Sequence, residues 1–310
     1  MLQSLDVPIN RSPRDIGAML IAPSTGRNII RNWGGVVVSL AILAAVAIRV
    51  QGVDFVKIMS IAPGVSLFWP AFLCFYALVP LSHWVIYRRL WGLPIGGIVP
   101  LLRKQVANEI VFGYSGEAHF YFWARQHAGL TGSPFGAIKD VSVMSAIAGN
   151  VATLFLMIVM APTLAGFMTG PLATTFQLSV AVIVIFSLLP FVFRRRLFSL
   201  SAPALRMVFT VHMVRIALTL GLSAAMWHFL LPDIAVGVWL ALATLKMMIS
   251  RLPLIANKDI LFAAATMLLL GKNADASAAI AFTTSLTLVA HLVVGASTGL
   301  ASLTERSNAA

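Results

Sequence analysis

In an apolar chain a carboxylate is costly unless it is paired or wet, so the acidic residues mark where chemistry could occur. This chain has only ten Asp and Glu. Asp6 and Asp15 fall near its start, Asp54 and Asp233 in turns, and Asp275 and Glu305 beside the last apolar run. Asp140 stands just before an apolar stretch, where it is expected to cap a helix or favour its dipole. Glu109, Glu117 and Asp259 remain. The most informative run is Gly113-Tyr114-Ser115-Gly116-Glu117-Ala118-His119. Gly113 and Gly116 permit a tight reversal of the backbone. Glu117 then starts the second limb, where a helix N-terminus favours its charge. Glu117 or His119 could serve as a base, or as polar contacts for a headgroup.

Among the cations, Arg215 needs explaining. It lies about eight residues, or about 12 Å, into an apolar stretch, and His212 shares its helical face. The pair points to a polar cavity. Lys246 is close to the inner end of its stretch and is expected to snorkel, while also attracting an anion. No HExxH, paired-Cys site, phosphate-binding glycine loop or aspartate-rich diphosphate motif occurs, so neither a metal nor a cofactor is expected. No catalytic constellation is present either, and an enzyme is the weaker expectation.

These residues must be positioned by membrane helices. Of 310 residues, 59% are apolar and 10% charged, against about 45–50% and about 25% in soluble domains. That excludes a cytosolic enzyme and a disordered chain, and the single Cys, Cys74, excludes an internal disulfide. The net charge of +12 is read as topology-setting Lys and Arg, not as a nucleic-acid surface. About seven stretches are apolar and long enough to span: 33–50, 61–87, 142–168, 177–193, 207–231, 234–250 and 277–301. Pro63, Pro70 and Pro80 predict a kink in the second. Residues 1–32 form a basic cytoplasmic tail without signal-peptide character, and 302–310 a short C-terminal tail.

Two semi-apolar stretches, 105–127 and 252–271, carry ionisable groups and are expected to be re-entrant hairpins, the second opened by Pro253. With both entering and leaving on the cytoplasmic side, and the N-terminus inside, the basic residues sort cleanly. Of the 22 Lys and Arg, only Arg49, Lys57 and Arg306 fall outside, and Arg215 and Lys246 lie within spans. The predicted fold is therefore an all-α polytopic membrane protein with about seven transmembrane helices and two re-entrant helical hairpins. The order span, span, hairpin, span recurs over 33–168 and 207–301, a parallel repeat of topology without matching residues.

The order of motifs carries a resemblance. His83-Trp84-Val85-Ile86-Tyr87-Arg88-Arg89, then Ser115-Gly116-Glu117, then Gly129-Leu130-Thr131-Gly132-Ser133-Pro134-Phe135 resembles the lysylphosphatidylglycerol synthase transmembrane (flippase-like) family. So do the late Arg251-Leu252-Pro253-Leu254, Leu268-Leu269-Leu270-Gly271 and the closing Val294-Gly295. The chain resembles a divergent member without the soluble synthase domain. His119 and Phe120 stand where the family carries an Arg, and Ile255-Ala256-Asn257-Lys258-Asp259 replaces its glycine-rich turn. The resemblance implies lipid handling.

Three expectations follow. The first is a protein of the inner membrane that binds or translocates a lipid or lipid-linked anionic headgroup, with Glu117, His119, Arg215, Lys246 and Asp259 as substrate-binding residues. Gly113, Gly116 and Pro253 would shape the hairpins. In this reading Glu117 and Arg215 share one cavity. The second is a non-catalytic membrane partner of an envelope lipid or polysaccharide assembly enzyme. The third is a membrane-embedded lipid-headgroup transferase. The partners expected are a membrane lipid and either another membrane protein or a second copy of the chain.

Overall fold

The buried face of the first described helix can be read from its spacing: Phe68, Phe72, Tyr76, Pro80, His83 and Tyr87 recur every third or fourth residue and are all buried. The computed structural model describes residues 67–111, 114–127, 134–160, 180–185, 197–251 and 274–307, with isolated positions within 162–178 and 262–270. The regular elements among the described residues are all helices, with no strand. Helix α1 (Phe68–Trp91) runs unbroken through Pro80. It ends at Gly92, whose φ of 67° lets its N–H donate to the Arg88 carbonyl at 2.9 Å. Arg88 and Arg89 in the last turn suit the negative end of the helix dipole.

A 3-10 turn (Ile95–Gly97) leads into α2 (Ile98–Ile110), and α3 (Ser115–His127) follows after a short turn. At 13 residues each, these helices are about 20 Å long, short of a hydrocarbon core of about 30 Å. They pack on each other as a helical hairpin. Next come α4 (Phe135–Val159), α5 (Ala202–Leu230), α6 (Val236–Arg251) and α7 (Ala274–Ser307). Helix α5 is the hub, touching α1, α4, α6 and α7. Leu205, Val208, His212 and Ile216, spaced three or four apart, form its buried face. Helix α2 bridges the hairpin to α1 and α7.

Among the described residues, four helices are long and apolar enough to cross a membrane: α1, α4, α5 and the Asp275–Gly299 part of α7. Leu73, Phe155, Ile158, Leu218 and Val293 are large apolar side chains left exposed on them, as lipid-facing positions would be. Helix α6 has 16 residues, about 24 Å. Residues 1–66, about half of 177–193 and nearly all of 252–271 lie outside the described residues, and with them one expected span, part of two others and nearly all of the second expected hairpin.

The expected start of the 142–168 stretch is corrected. Helix α4 begins at Phe135, so Asp140 lies inside it, not before it. Its carboxylate does not cap its own helix. Oδ2 accepts from the Ser199 N–H at 2.6 Å and the Leu200 N–H at 2.7 Å, just before α5, and Oδ1 pairs with Lys139 at 3.1 Å. The Lys139 ammonium also donates to the Leu197 carbonyl. One buried carboxylate thus ties α4 to the entry of α5.

Candidate functional site

Lys104 is the centre of a buried polar junction. It falls on the stripe Leu101, Lys104, Ala107, Ile110 that α2 turns inward, and its side chain is 4% exposed. A buried ammonium is tolerated only with partners. Its Nζ lies 3.1 Å from Glu117 Oε1 on α3 and 3.3 Å from His83 Nε2 on α1. His83 Nδ1 is 3.0 Å from the Val79 carbonyl, which can only accept. Nδ1 therefore carries the ring proton, and Nε2 offers its lone pair to Lys104. The same Oε1 of Glu117 accepts from the Ser142 hydroxyl of α4 at 3.3 Å. Burial pushes the Glu117 carboxyl up, but Lys104 and the Asn108 amide outweigh it and hold the group below the usual carboxylate range.

The hairpin geometry exists to make this pair. Gly116 N donates to Asn108 Oδ1 at 2.8 Å and Ser115 Oγ to the Ala107 carbonyl at 2.7 Å. A Cβ on Gly116 would collide with the Lys104 carbonyl oxygen, a backbone atom that cannot move aside. Gly116 is thus needed for close approach of two helices, not for the reversal. Among the described residues of the turn, a positive φ belongs to Tyr114, at 69°. Gly113 lies outside the described residues. Gly116→Ala is expected to lower stability by about 1–3 kcal/mol through overpacking, read from thermal unfolding in detergent. An unchanged melting temperature would mean the helices are not held at this separation.

Two cavities flank the junction. The first, about 660 Å³, is lined by Arg215, Lys246, Arg251, Glu109, Trp227 and His291 among others, with Thr219, Ser223, Thr283, Thr284 and Thr287 as hydroxyls. The second, about 870 Å³, is lined by Glu117, Lys139, Ser142 and Asn150 with the apolar faces of Tyr121, Phe122, Phe135 and Val143. The expected single cavity for Glu117 and Arg215 is therefore corrected: the two line different cavities. The reason is Lys104, which takes the role of counter-charge expected of Arg215.

What the two share is a face of α4. Ser142 holds Glu117, Ser145 accepts from Arg215 Nη2 at 3.2 Å, and Gly149 faces the Arg251 guanidinium. These positions are three and four residues apart, so they follow one another along one side of the helix. Arg251, which the sequence suggested as a topology signal and as part of the late Arg251-Leu252-Pro253-Leu254 motif but not as a site residue, joins Arg215 and Lys246 in the first cavity. The exposed Lys246 ammonium lies 5.7 Å from the Phe262 ring and 5.9 Å from the Trp227 ring, with Thr284 Oγ1 at 3.4 Å.

His119 lines neither of these cavities. It is 4% exposed, and neither ring nitrogen has a hydrogen-bond partner among the described residues. Burial, with Arg103 nearby, pushes its imidazole down to about 4. Asp259 and Pro253 lie outside the described residues. Among the described residues no three His, Cys, Asp or Glu gather as metal ligands. The small residues Ser142, Ser145 and Gly149, at helical spacing in an apolar run, were the available signal for the charged groups they seat. No family model, curated protein or solved structure matches this chain.

Proposed function

We propose that this is an integral membrane protein that binds a lipid or lipid-linked substrate by an anionic headgroup and passes it across the inner membrane. The observation that carries the reading is the convergence of Arg215, Lys246 and Arg251 on one cavity, against Glu109 as its acidic lining residue. Three cations at membrane depth are expensive unless an anion or water meets them. The walls beside them include Phe75, Ile216, Leu220 and Leu288, which suit acyl chains. In this reading the N-terminus is cytoplasmic, about seven helices span, and the α2–α3 hairpin and residues 252–271 are re-entrant.

The test is lipid scrambling by the purified protein in liposomes carrying a fluorescent anionic lipid. The protein should accelerate transbilayer movement, and Arg215→Gln should slow it by about tenfold, the effect of losing one charge-assisted contact of about 1.4 kcal/mol. Movement no faster than in protein-free vesicles would overturn the reading. Reporter fusions check the topology. Gly170 and Ala310 should read as external and Ser199 as cytoplasmic; a cytoplasmic Ala310 with an external Gly170 would mean that 252–271 crosses the membrane.

A further inference from the structure

The two guanidiniums of the first cavity are held in an unusual way. Arg215 donates to Ser145 at 3.2 Å. The Arg251 guanidinium lies directly over Gly149, so close that a Cβ there would come within 2.5 Å of its Cζ and Nη2 and 2.7 Å of its Nη1. A glycine inside a helix costs about 0.5–1 kcal/mol relative to alanine, and this one makes room for the guanidinium. The two seats are four residues apart on α4, about 6 Å along its axis. Neither guanidinium has a carboxylate within ion-pair distance among the described residues. Two like charges fixed this close repel each other unless an anion lies between them.

We infer that Arg215 and Arg251 form a two-guanidinium grip for a phosphate group, with Lys246 as the third cation. The inference rests on reading this cavity as a headgroup site and names the chemistry it selects. A carboxylate has two coplanar oxygens and is satisfied by one arginine. A terminal phosphate has three oxygens in a tetrahedron and about two charges, so it can accept from two guanidiniums approaching from different sides. The grip therefore favours a phosphate monoester over a carboxylate. The phosphate can be the monoester headgroup of a lipid or free inorganic phosphate, since both present at least three terminal oxygens and about two charges.

The full chain, purified in detergent, is titrated calorimetrically with dioctanoyl phosphatidic acid, octanoate and inorganic phosphate. Phosphatidic acid is expected to bind at least tenfold more tightly than octanoate. Arg215→Lys and Arg251→Lys should each weaken it at least tenfold, because an ammonium cannot reproduce the planar fork. Gly149→Ala should do the same by displacing Arg251, while a preserved melting temperature in any of the three shows that binding, not folding, is lost. Octanoate binding as tightly as phosphatidic acid, with both lysine variants neutral, overturns the phosphate grip and leaves the lipid reading standing. Inorganic phosphate binding as tightly as phosphatidic acid supports the grip and removes the lipid reading. Binding of none of the three overturns both.

Discussion

Lys104→Met is expected to destabilise the protein by about 3–5 kcal/mol, the range for stripping one partner from a buried ion pair. The loss arises from what remains. Glu117 keeps only neutral donors, the Asn108 amide and a 3.3 Å hydrogen bond from Ser142, in place of an ammonium at 3.1 Å, and His83 Nε2 loses its donor. Adding Glu117→Gln should recover part of the loss, since a neutral amide no longer needs a counter-charge. Equilibrium unfolding of both single variants and the double in detergent closes the cycle, with a coupling of about 0.5–3 kcal/mol expected for groups in contact. Strict additivity would mean that the two side chains do not meet. Acid adds a second readout. The folded carboxyl of Glu117 is held below its ordinary value, so its stabilisation is complete above the unfolded value of about 4.3 and is lost as pH falls through the lower folded value. Wild type should therefore lose more stability than Glu117→Gln between about pH 5 and pH 2.

That junction shows which parts of the protein can be read from residue order. Gly116 and Glu117 stood out because an acidic residue beside glycine in an apolar chain has few bland explanations. Lys104 did not, because Lys and Arg near a span end already have a reason to be there, and the topology rule absorbs them without asking which face they occupy. Arg251 escaped in the same way. Only the placing of α2 against α3, thirteen positions along the chain, decides that the ammonium turns inward. The start of α4 was missed for a related reason. Hydropathy penalises Lys139 and Asp140, although their mutual pairing and their contacts to the chain before α5 make them compatible with a continuous helix. The inward stripe of α1 is set by spacing alone: Phe68, Phe72, Tyr76, His83 and Tyr87 cannot avoid sharing a face. Spacing says nothing of what that face meets, so the contact of Tyr76 with His291, at 3.0 Å and more than two hundred positions away, had no signal.

Asp140→Ala is the other change expected to have a large effect, about 2–4 kcal/mol. Hydrogen bonds to a charged group contribute about 1.5–3 kcal/mol each, and this carboxylate, fully buried, accepts two from backbone N–H groups. The sum is reduced because Ser199 and Leu200 keep some access to water. Nothing nearby can substitute. Ser201 stands at the N-cap of α5 but makes no capping hydrogen bond of its own, so Asp140 is what fixes where that helix begins. Asp140→Asn keeps one acceptor oxygen for the same N–H groups and should cost less than half as much in unfolding measurements. The consequence for function follows from position. Asp140, Ser142 and Ser145 lie within two turns of α4, and the last two hold Glu117 and Arg215. A shift of α5 against α4 therefore moves Arg215 relative to its seat. Under the proposed function, Asp140→Ala should slow lipid scrambling even at temperatures where the protein stays folded, whereas Asp140→Asn should not. Stability within about 0.5 kcal/mol of wild type for Asp140→Ala, the range of ordinary surface changes, would show that α5 is registered by its apolar contacts alone.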